Sequence, residues 1–524
     1  MRFRSLNSSF TLYQLFLLFL FFHLSGLTVY CQPNMQWQHC YGGTKYERPY
    51  DIKATPDGGC IAIGNSLSSN FDVSANFGVN DFWIVKLDSL GGLEWETNLG
   101  GSADDGGYTI YVTEDHEYLA AGFTESTDVQ VTGNHGEKDC WIVKLDSEGS
   151  VLWRKCYGGS KSEIIYGIAQ TSDGGFVFAS ESVSSDGDLP GNLGGADFWI
   201  FKIDHLGNVV WSKVYGGSNL DTPNRVEIGP DNYIYVIGQT NSNDGDISFS
   251  NGGLDIWLLK LDQAGNLVWQ NTLGGSNYDF GTDLVFSSNG KLVISGCVYS
   301  SNGDVTDNNG GMDFWLAELN DQGNVIWQKA FGGSGDDAAL SIEVMGNSGF
   351  LIFGDTQSNN GDVVGNDGGQ DFWLVRVSNT GELMWQKTYG GTLDESGYGI
   401  ARLKDGGVAL AGRTRSNNGD VSGNHGSSDF WIVKLSPETS TTTTPTAIPL
   451  NLYPNPAQNW FRLNLPITEP EMQISITDAQ GRVVLAKTIR SDERLDVAAL
   501  EPGVYGVSAL AQSGQVYAGK LVKE

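Results

Sequence analysis

Trp141-Ile-Val-Lys-Leu-Asp-Ser-Glu-Gly-Ser-Val-Leu-Trp153 closes on a tryptophan at each end, and the same pair returns along most of the chain. One ladder is Trp83, Trp141, Trp199, Trp257, Trp315, Trp373 and Trp431; the other is Trp37, Trp95, Trp153, Trp211, Trp269, Trp327 and Trp385, each with a step of 58 residues. Seven rungs on each ladder mean seven copies of one unit. A fixed period without insertions is the signature of a repeat architecture, in which each unit buries its apolar face against its neighbours.

The third copy shows the unit most cleanly. It runs Tyr166-Gly-Ile-Ala-Gln-Thr171, Ser172-Asp-Gly-Gly175, Phe176-Val-Phe-Ala179, a long polar loop, Asp197-Phe-Trp-Ile-Phe-Lys-Ile-Asp204, a Gly-Asn turn and Val209-Val-Trp-Ser-Lys-Val-Tyr215. Short apolar segments separated by such turns predict antiparallel hairpins. In the third strand alternate residues are apolar on both faces: Phe82 and Ile84 point one way, Trp83, Val85 and Leu87 the other. A strand apolar on both sides is covered on both sides. The prediction is an all-β, seven-bladed β-propeller of four-stranded blades with a small β-sandwich after it. The last third strand, Asp429 to Leu435, has no fourth strand after it, while the first Trp-containing fourth strand precedes any third strand. Met35 to Tyr41 is therefore expected to complete the seventh blade and clasp the ring.

At Trp141 to Trp153 the sequence resembles the tryptophan-docking motif of quinoprotein-type propellers, and the whole unit is similar to bacterial β-propeller repeats of about 60 residues. The resemblance spans about Met35 to Ser436 and implies a fold. The groups that hold a quinone in that family have no counterpart in the chain, so no cofactor is carried over.

The ends read differently. Arg2 and Arg4, the apolar run Leu15 to Phe22 and the segment Val29-Tyr30-Cys31 form a signal peptide over residues 1–31, with cleavage before Gln32. The propeller is assigned 32–436 and a Thr/Pro-rich linker 437–449. The remaining 450–524 carries Leu452-Tyr-Pro-Asn-Pro456, Ile474 to Val484, Leu495-Asp-Val, Leu500-Glu-Pro-Gly-Val-Tyr505 and Lys520 to Glu524. In this order these strongly resemble the type A sorting domain of the type IX secretion system of Gram-negative bacteria, from Pro445 onward. The resemblance implies the outer-membrane translocon as a partner, and a mature protein that is secreted or held at the outer-membrane surface. No segment of the mature chain is apolar enough to cross a membrane.

Formal net charge is −31, which argues against nucleic acid. Cys140 and Cys156 lie symmetrically about Glu148, so a regular hairpin would set them opposite each other, as a disulfide or as two buried free thiols. A ladder of acids, Glu47, Asp105, Glu163, Asp221, Asp279, Asp337 and Glu395, is read as turn acceptors, with an acidic rim for cations as the functional alternative. The tryptophans are read as packing between sheets, not as sugar platforms.

The loop before the third strand pairs Asp246 with Asp255, Asp304 with Asp313, Asp362 with Asp371 and Asp420 with Asp429. Oxygen-rich loops of this kind suit calcium, although the spacing is not that of an EF-hand and tight turns use the same residues. No catalytic constellation is visible: His135 and His425 share a repeat position five units apart, and Arg48, Glu181 and Arg225 form no recognisable set. Two functions follow. One is a non-catalytic binding or adhesion scaffold for an extracellular glycan or protein; the other is an extracellular polysaccharide hydrolase or lyase using acids near the channel.

Overall fold

Each 58-residue unit folds into one antiparallel sheet whose strands follow chain order. A computed structural model describes residues 27–443, 448–464, 472–478, 482–490, 493–511 and 516–524; the apolar run Leu15 to Phe22, on which the signal-peptide reading rests, lies outside them. Blade 3 is Glu163–Gln170, Phe176–Ser182, Asp197–Ile203 and Val209–Tyr215, paired in that order. Blade 7 is Glu395–Arg402, Val408–Thr414 and Asp429–Leu435, with Met35–Tyr41 hydrogen-bonded to its third strand as expected. Seven such sheets occur.

Closure is visible in the cores. Seven hydrophobic clusters occur, each drawing on two consecutive blades, and one of them joins blade 7 (Ala411, Phe430) to blade 1 (Ile52, Trp83). The predicted facing holds: Phe82 and Ile84 enter one inter-blade core, Trp83, Val85 and Leu87 the other. Every third-strand tryptophan is fully buried. In six of the seven, Trp141 excepted, the indole N–H donates to a fourth-strand side chain, such as Gln270 for Trp257 (2.9 Å) and Gln38 for Trp431 (2.8 Å). Four fourth-strand tryptophans donate to the hairpin turn one blade onward, as Trp95 does to the Ser147 carbonyl (3.2 Å) and Trp211 to that of Gln263 (3.1 Å), whereas Trp327 donates to Glu318 of its own blade (3.3 Å).

The clasp has a second part. Trp385 has no following hairpin turn to dock on, and Glu438 takes its place, accepting the Trp385 indole (2.8 Å) and pairing with buried Arg376 (3.1 Å). The compact unit accordingly runs from Gln32 to Glu438.

Two expectations are corrected. Val151 pairs with Leu145 but Trp153 with Lys144, so Leu152 bulges and the hairpin slips by one residue. Cys156 then stands opposite Trp141 and Cys140 opposite Tyr157, on different faces of the sheet. Cys140 packs between blades 2 and 3, Cys156 between blades 1 and 2, and both are free thiols. Within the linker, Thr439–Thr443 is a strand, paired antiparallel with Leu27–Cys31, residues assigned to the end of the signal peptide.

The C-terminal unit is a sandwich. A five-stranded sheet and a three-stranded sheet share one core, with Ile474, Val507 and Leu521 from the first and Leu452, Phe461 and Leu495 from the second. Among the described residues no helix is long and apolar enough to cross a membrane.

Candidate functional site

The long loops and the acid ladder meet at the blade junctions. Every ladder acid is buried. Asp337 accepts the Gly333 N–H (2.8 Å), the Ser358 hydroxyl (2.8 Å) and the Thr356 hydroxyl; Glu163 and Asp105 repeat the pattern. The ladder is a set of turn acceptors, and the acidic-rim reading fails because these carboxylates do not reach the surface.

The loop aspartates come together across copies, not within one loop. Asp255 gathers with Asp279 and Asp304 around Gly274, whose N–H donates to Asp304 (3.3 Å). Asp313 and Asp362 meet Asp337 at Gly332, Asp371 and Asp420 meet Glu395 at Gly390, and Asp429 meets Glu47 and Asp72 at Gly42. Asp246 joins Asp197 and Asp221 at Gly216. A Cβ on Gly332 would collide with Asp313 Oδ1, which is why glycine is needed at this rung of every copy.

In each of these third-strand aspartates one oxygen accepts a backbone N–H four residues back, while Oδ1 is buried without a hydrogen-bond partner; this holds for Asp81, Asp139, Asp197, Asp255, Asp313, Asp371 and Asp429. Burial, opposed by that N–H and reinforced by the neighbouring carboxylates, pushes Asp81 and Asp313 up to about 7 and Asp197, Asp371 and Asp429 up to about 6. A calcium ion takes six to eight oxygens, and the buried open oxygen at each junction is Oδ1 of the third-strand aspartate. Among the described residues no cluster of three or more His, Cys, Asp or Glu has metal-holding geometry. His135 and His425 each bond their own blade's aspartate, at 2.6 and 2.7 Å, and do not meet.

The channel is where the copies differ. First strands line it, and each carries a bulge that drops one residue from the ladder: Tyr50, Tyr108, Tyr166, Asn224, Thr282, Leu340 and Tyr398. A bulge re-aims a side chain. Blades 7, 1, 2 and 3 thus set four tyrosines in an arc, with successive ring centroids 5.6 Å (Tyr398 to Tyr50), 4.4 Å (Tyr50 to Tyr108) and 5.3 Å (Tyr108 to Tyr166) apart. Arg48 lies over Tyr50 and Tyr398, at 4.7 and 4.6 Å from the ring centres. Glu181 accepts the Tyr166 hydroxyl (3.4 Å), and Arg413 donates to that of Tyr46 (2.7 Å).

One residue further along, Arg225 ties the ring across its axis, with Nε 3.1 Å from Asp283 and Nη1 3.8 Å from Asp51. Burial opposes ionisation of Asp51, yet Lys53 (2.7 Å) and Arg225 hold it below the usual range. Beyond this layer Lys53, Tyr111, Glu227 and Glu343 line a cavity of about 470 Å³. Glu227 is solvent-exposed and Glu343 half-buried at the cavity wall, where desolvation by the surrounding strands pushes both up to about 7.

Arg48, Glu181 and Arg225 therefore do belong to sets, contrary to the sequence reading. A signal was present. The column of Arg48 reads Arg, Gly, Ile, Thr, Phe, Ala, Ser and that of Glu181 reads Asn, Phe, Glu, Gln, Cys, Asp, Arg, with no residue repeated in either.

Residues 451–524 match the family model of the secretion system C-terminal sorting domain. The protein is accordingly an export substrate of the type IX machinery, secreted or at the outer-membrane surface. Over 230 residues the chain is 25% identical to the regulatory protein FlaEY of Caulobacter vibrioides, a match covering 41% of this chain and 23% of that protein. Among solved structures it is similar to puromycin hydrolase (TM-score 0.45, 10% identity, 92% of this chain and 62% of that one). It is also similar to the Pan2 WD40 domain of Neurospora crassa (TM-score 0.39, 11% identity, 78% of this chain and all of that one). The chain thus spans under a quarter of the curated relative it matches.

Proposed function

We propose, for an exported chain that ends in a sorting domain at residues 451–524, that its seven-bladed ring is a non-catalytic binding and adhesion scaffold for an extracellular glycan or protein. The observation that carries this reading is the concentration of copy-to-copy variation at one channel mouth. At the buried tryptophans, the ladder acids and the junction glycines the copies repeat what packing demands, and rigid scaffolds vary where they bind. The test is a glycan array and a polysaccharide-degradation screen on the full mature chain. Retention of a ligand without product release supports the scaffold; product release, or retention of no glycan and no surface protein, overturns it.

A second reading rests on Glu227 and Glu343. Carboxyls that titrate near 7 beside a cavity meet a requirement of acid catalysis, which favours a hydrolase or lyase. Release of oligosaccharide that vanishes in Glu227→Gln and Glu343→Gln would establish it; release unchanged by both would exclude these acids. Calcium at Asp255, Asp313, Asp371 and Asp429 belongs to the scaffold reading as a stabiliser of the junctions, with the open Oδ1 as its first ligand. Titration of chelator-stripped protein with Ca²⁺ tests it, and absence of both heat and thermal stabilisation removes it.

A further inference from the structure

In a chain with 62 acidic residues against 31 basic ones, Arg48 stands in the channel mouth without a carboxylate. Among the described residues it enters no ion pair, and its Nε is buried with no hydrogen-bond acceptor. A half-buried guanidinium whose Nε is cut off from solvent is costly unless something supplies the acceptor. Its surroundings define what that is. With Tyr50 and Tyr398 against its guanidinium, cation–π contact is already satisfied, and its planar edge of N–H donors is left without an acceptor among the described residues. That edge matches a carboxylate, which accepts two parallel bonds from it.

Beside this edge the arc continues through Tyr108 and Tyr166, half-buried rings that offer apolar faces and hydroxyls together. A ligand that fills both parts has a carboxylate on a ring with one apolar C–H face and hydroxyls at its rim. The field of the whole protein adds a constraint. With a net charge of −31, and with Asp51, Asp283, Glu227 and Glu343 deeper in the same channel, a polyanion is repelled. One isolated carboxylate is not.

We infer that the channel mouth is a carboxylate-recognition site for a glycan bearing a single terminal uronate. Arg48 takes the carboxylate, and the tyrosine arc takes the sugar face. Blades 4, 5 and 6, which place Asn224, Thr282 and Leu340 at the bulge, supply no such faces, so the sugar lies against blades 7, 1, 2 and 3. The assignment rests on the scaffold reading above and names its ligand.

The test is calorimetric titration of the full mature chain with a glucuronate-terminated disaccharide, its methyl ester, and a blocked dipeptide with a free C-terminal carboxylate. The acid is expected to bind at least about tenfold more tightly than the ester, the increment of one charge-assisted hydrogen bond. Arg48→Gln brings the acid down to the ester's affinity, Arg48→Lys recovers part of the loss, and Tyr108→Leu weakens acid and ester alike. Each variant is checked for an unchanged melting profile. If Arg48→Gln does not fold, the acid-to-ester ratio in the wild type and the Tyr108→Leu titration carry the decision. Equal affinity for acid and ester, or full affinity in Arg48→Gln, overturns the site. A dipeptide that binds as tightly as the disaccharide overturns the saccharide assignment. A chain that retains a neutral glycan on the array but not the uronate keeps its scaffold function and loses this site; one that releases product loses the scaffold reading itself.

Discussion

Asp313→Asn is expected to stabilise the propeller at pH 8 and to leave it nearly unchanged at pH 5. Burial pushes the Asp313 carboxyl up to about 7, against 3.8 for an ordinary aspartate. The folded state therefore holds a proton that the unfolded state has released. The contribution of this group is full below about pH 4 and is lost as pH rises through 7. The gap of roughly 3 in pKa corresponds to about 4 kcal/mol at ~1.4 kcal/mol per unit, an upper bound because the junction relaxes. Asparagine fits the site: its carbonyl accepts the Asn309 N–H as Asp313 Oδ2 does, and its amide replaces the unpartnered Oδ1 beside Asp337. A gain of about 1–3 kcal/mol at pH 8, shrinking below ~1 at pH 5, is expected in urea unfolding followed by tryptophan fluorescence, with chelator present. An Asp313→Asn chain less stable than wild type at pH 8 would refute the argument. Repeating the measurement with Ca²⁺ tests Oδ1 as a ligand: calcium stabilisation that disappears in the variant identifies a metal ligand, and stabilisation that survives places the metal elsewhere.

Four further outcomes are accessible to the same chain. The Trp141 indole is the one third-strand indole left without an acceptor, because Arg154 occupies the position where its neighbours have Gln, Ser or Glu; Arg154→Gln is expected to add about 1–2 kcal/mol in urea unfolding. Glu438→Ala removes the carboxylate from fully buried Arg376, which keeps its carbonyl acceptors, and frees Trp385, at a cost of about 3 kcal/mol in the same assay. Cys140 and Cys156 are both expected to react with an alkylating reagent in the unfolded, unreduced protein, read by intact mass, since the slipped hairpin keeps them apart. Val129→Gly is expected to raise stability by about 1 kcal/mol, because Val129 sits at φ 56°, where a β-branched side chain is strained.

What the sequence discloses and what it hides follow from how far apart the cooperating residues lie. The blade, its number and the clasp by Met35–Tyr41 are legible because each rests on a residue repeated in all copies. The bulges are not, since Leu152 and Tyr50 carry no mark distinguishing them from ladder residues. That one hidden step reversed the facing of Cys156 and concealed the tyrosine arc. The burial of the acid ladder was equally hidden, because Asp337 is satisfied by hydroxyls on Thr356 and Ser358 that arrive only when the second strand returns. For the loop aspartates the composition was visible but the partner was not: Asp255 meets Asp304 of the following copy.

The asymmetry of the ring extends beyond the channel, and stability does not explain it. At the loop position held by Gly187, Gly245, Gly303, Gly361 and Gly419, all at positive φ, blades 1 and 2 instead carry Phe71 and Val129, each at φ 56° and 67% and 61% exposed. A side chain there costs about 1–2 kcal/mol in backbone strain, and it also pushes the loop outward. The next N–H reaches its glycine carbonyl at 3.2 Å after Phe71 and 3.4 Å after Val129, against 2.9 Å after Gly245, Gly303 and Gly361. Exposed, strained apolar groups contribute nothing to the core, so their retention points to something outside the fold. They fall in the two blades that also supply Arg48, Tyr50 and Tyr108, on the edge of the ring where the first strands begin and the polar loops gather. Repetition keeps blades 4 to 6 close to the minimum a closed ring requires, whereas the departures from it cluster where blades 1 and 2 meet the channel. A ligand held by Arg48 and the arc, and long enough to leave the channel over the loops, would meet Phe71 and Val129 next. Val129→Gly should therefore do two things at once: raise stability and shorten the retention of long glycans on the array while leaving the affinity for a disaccharide unchanged.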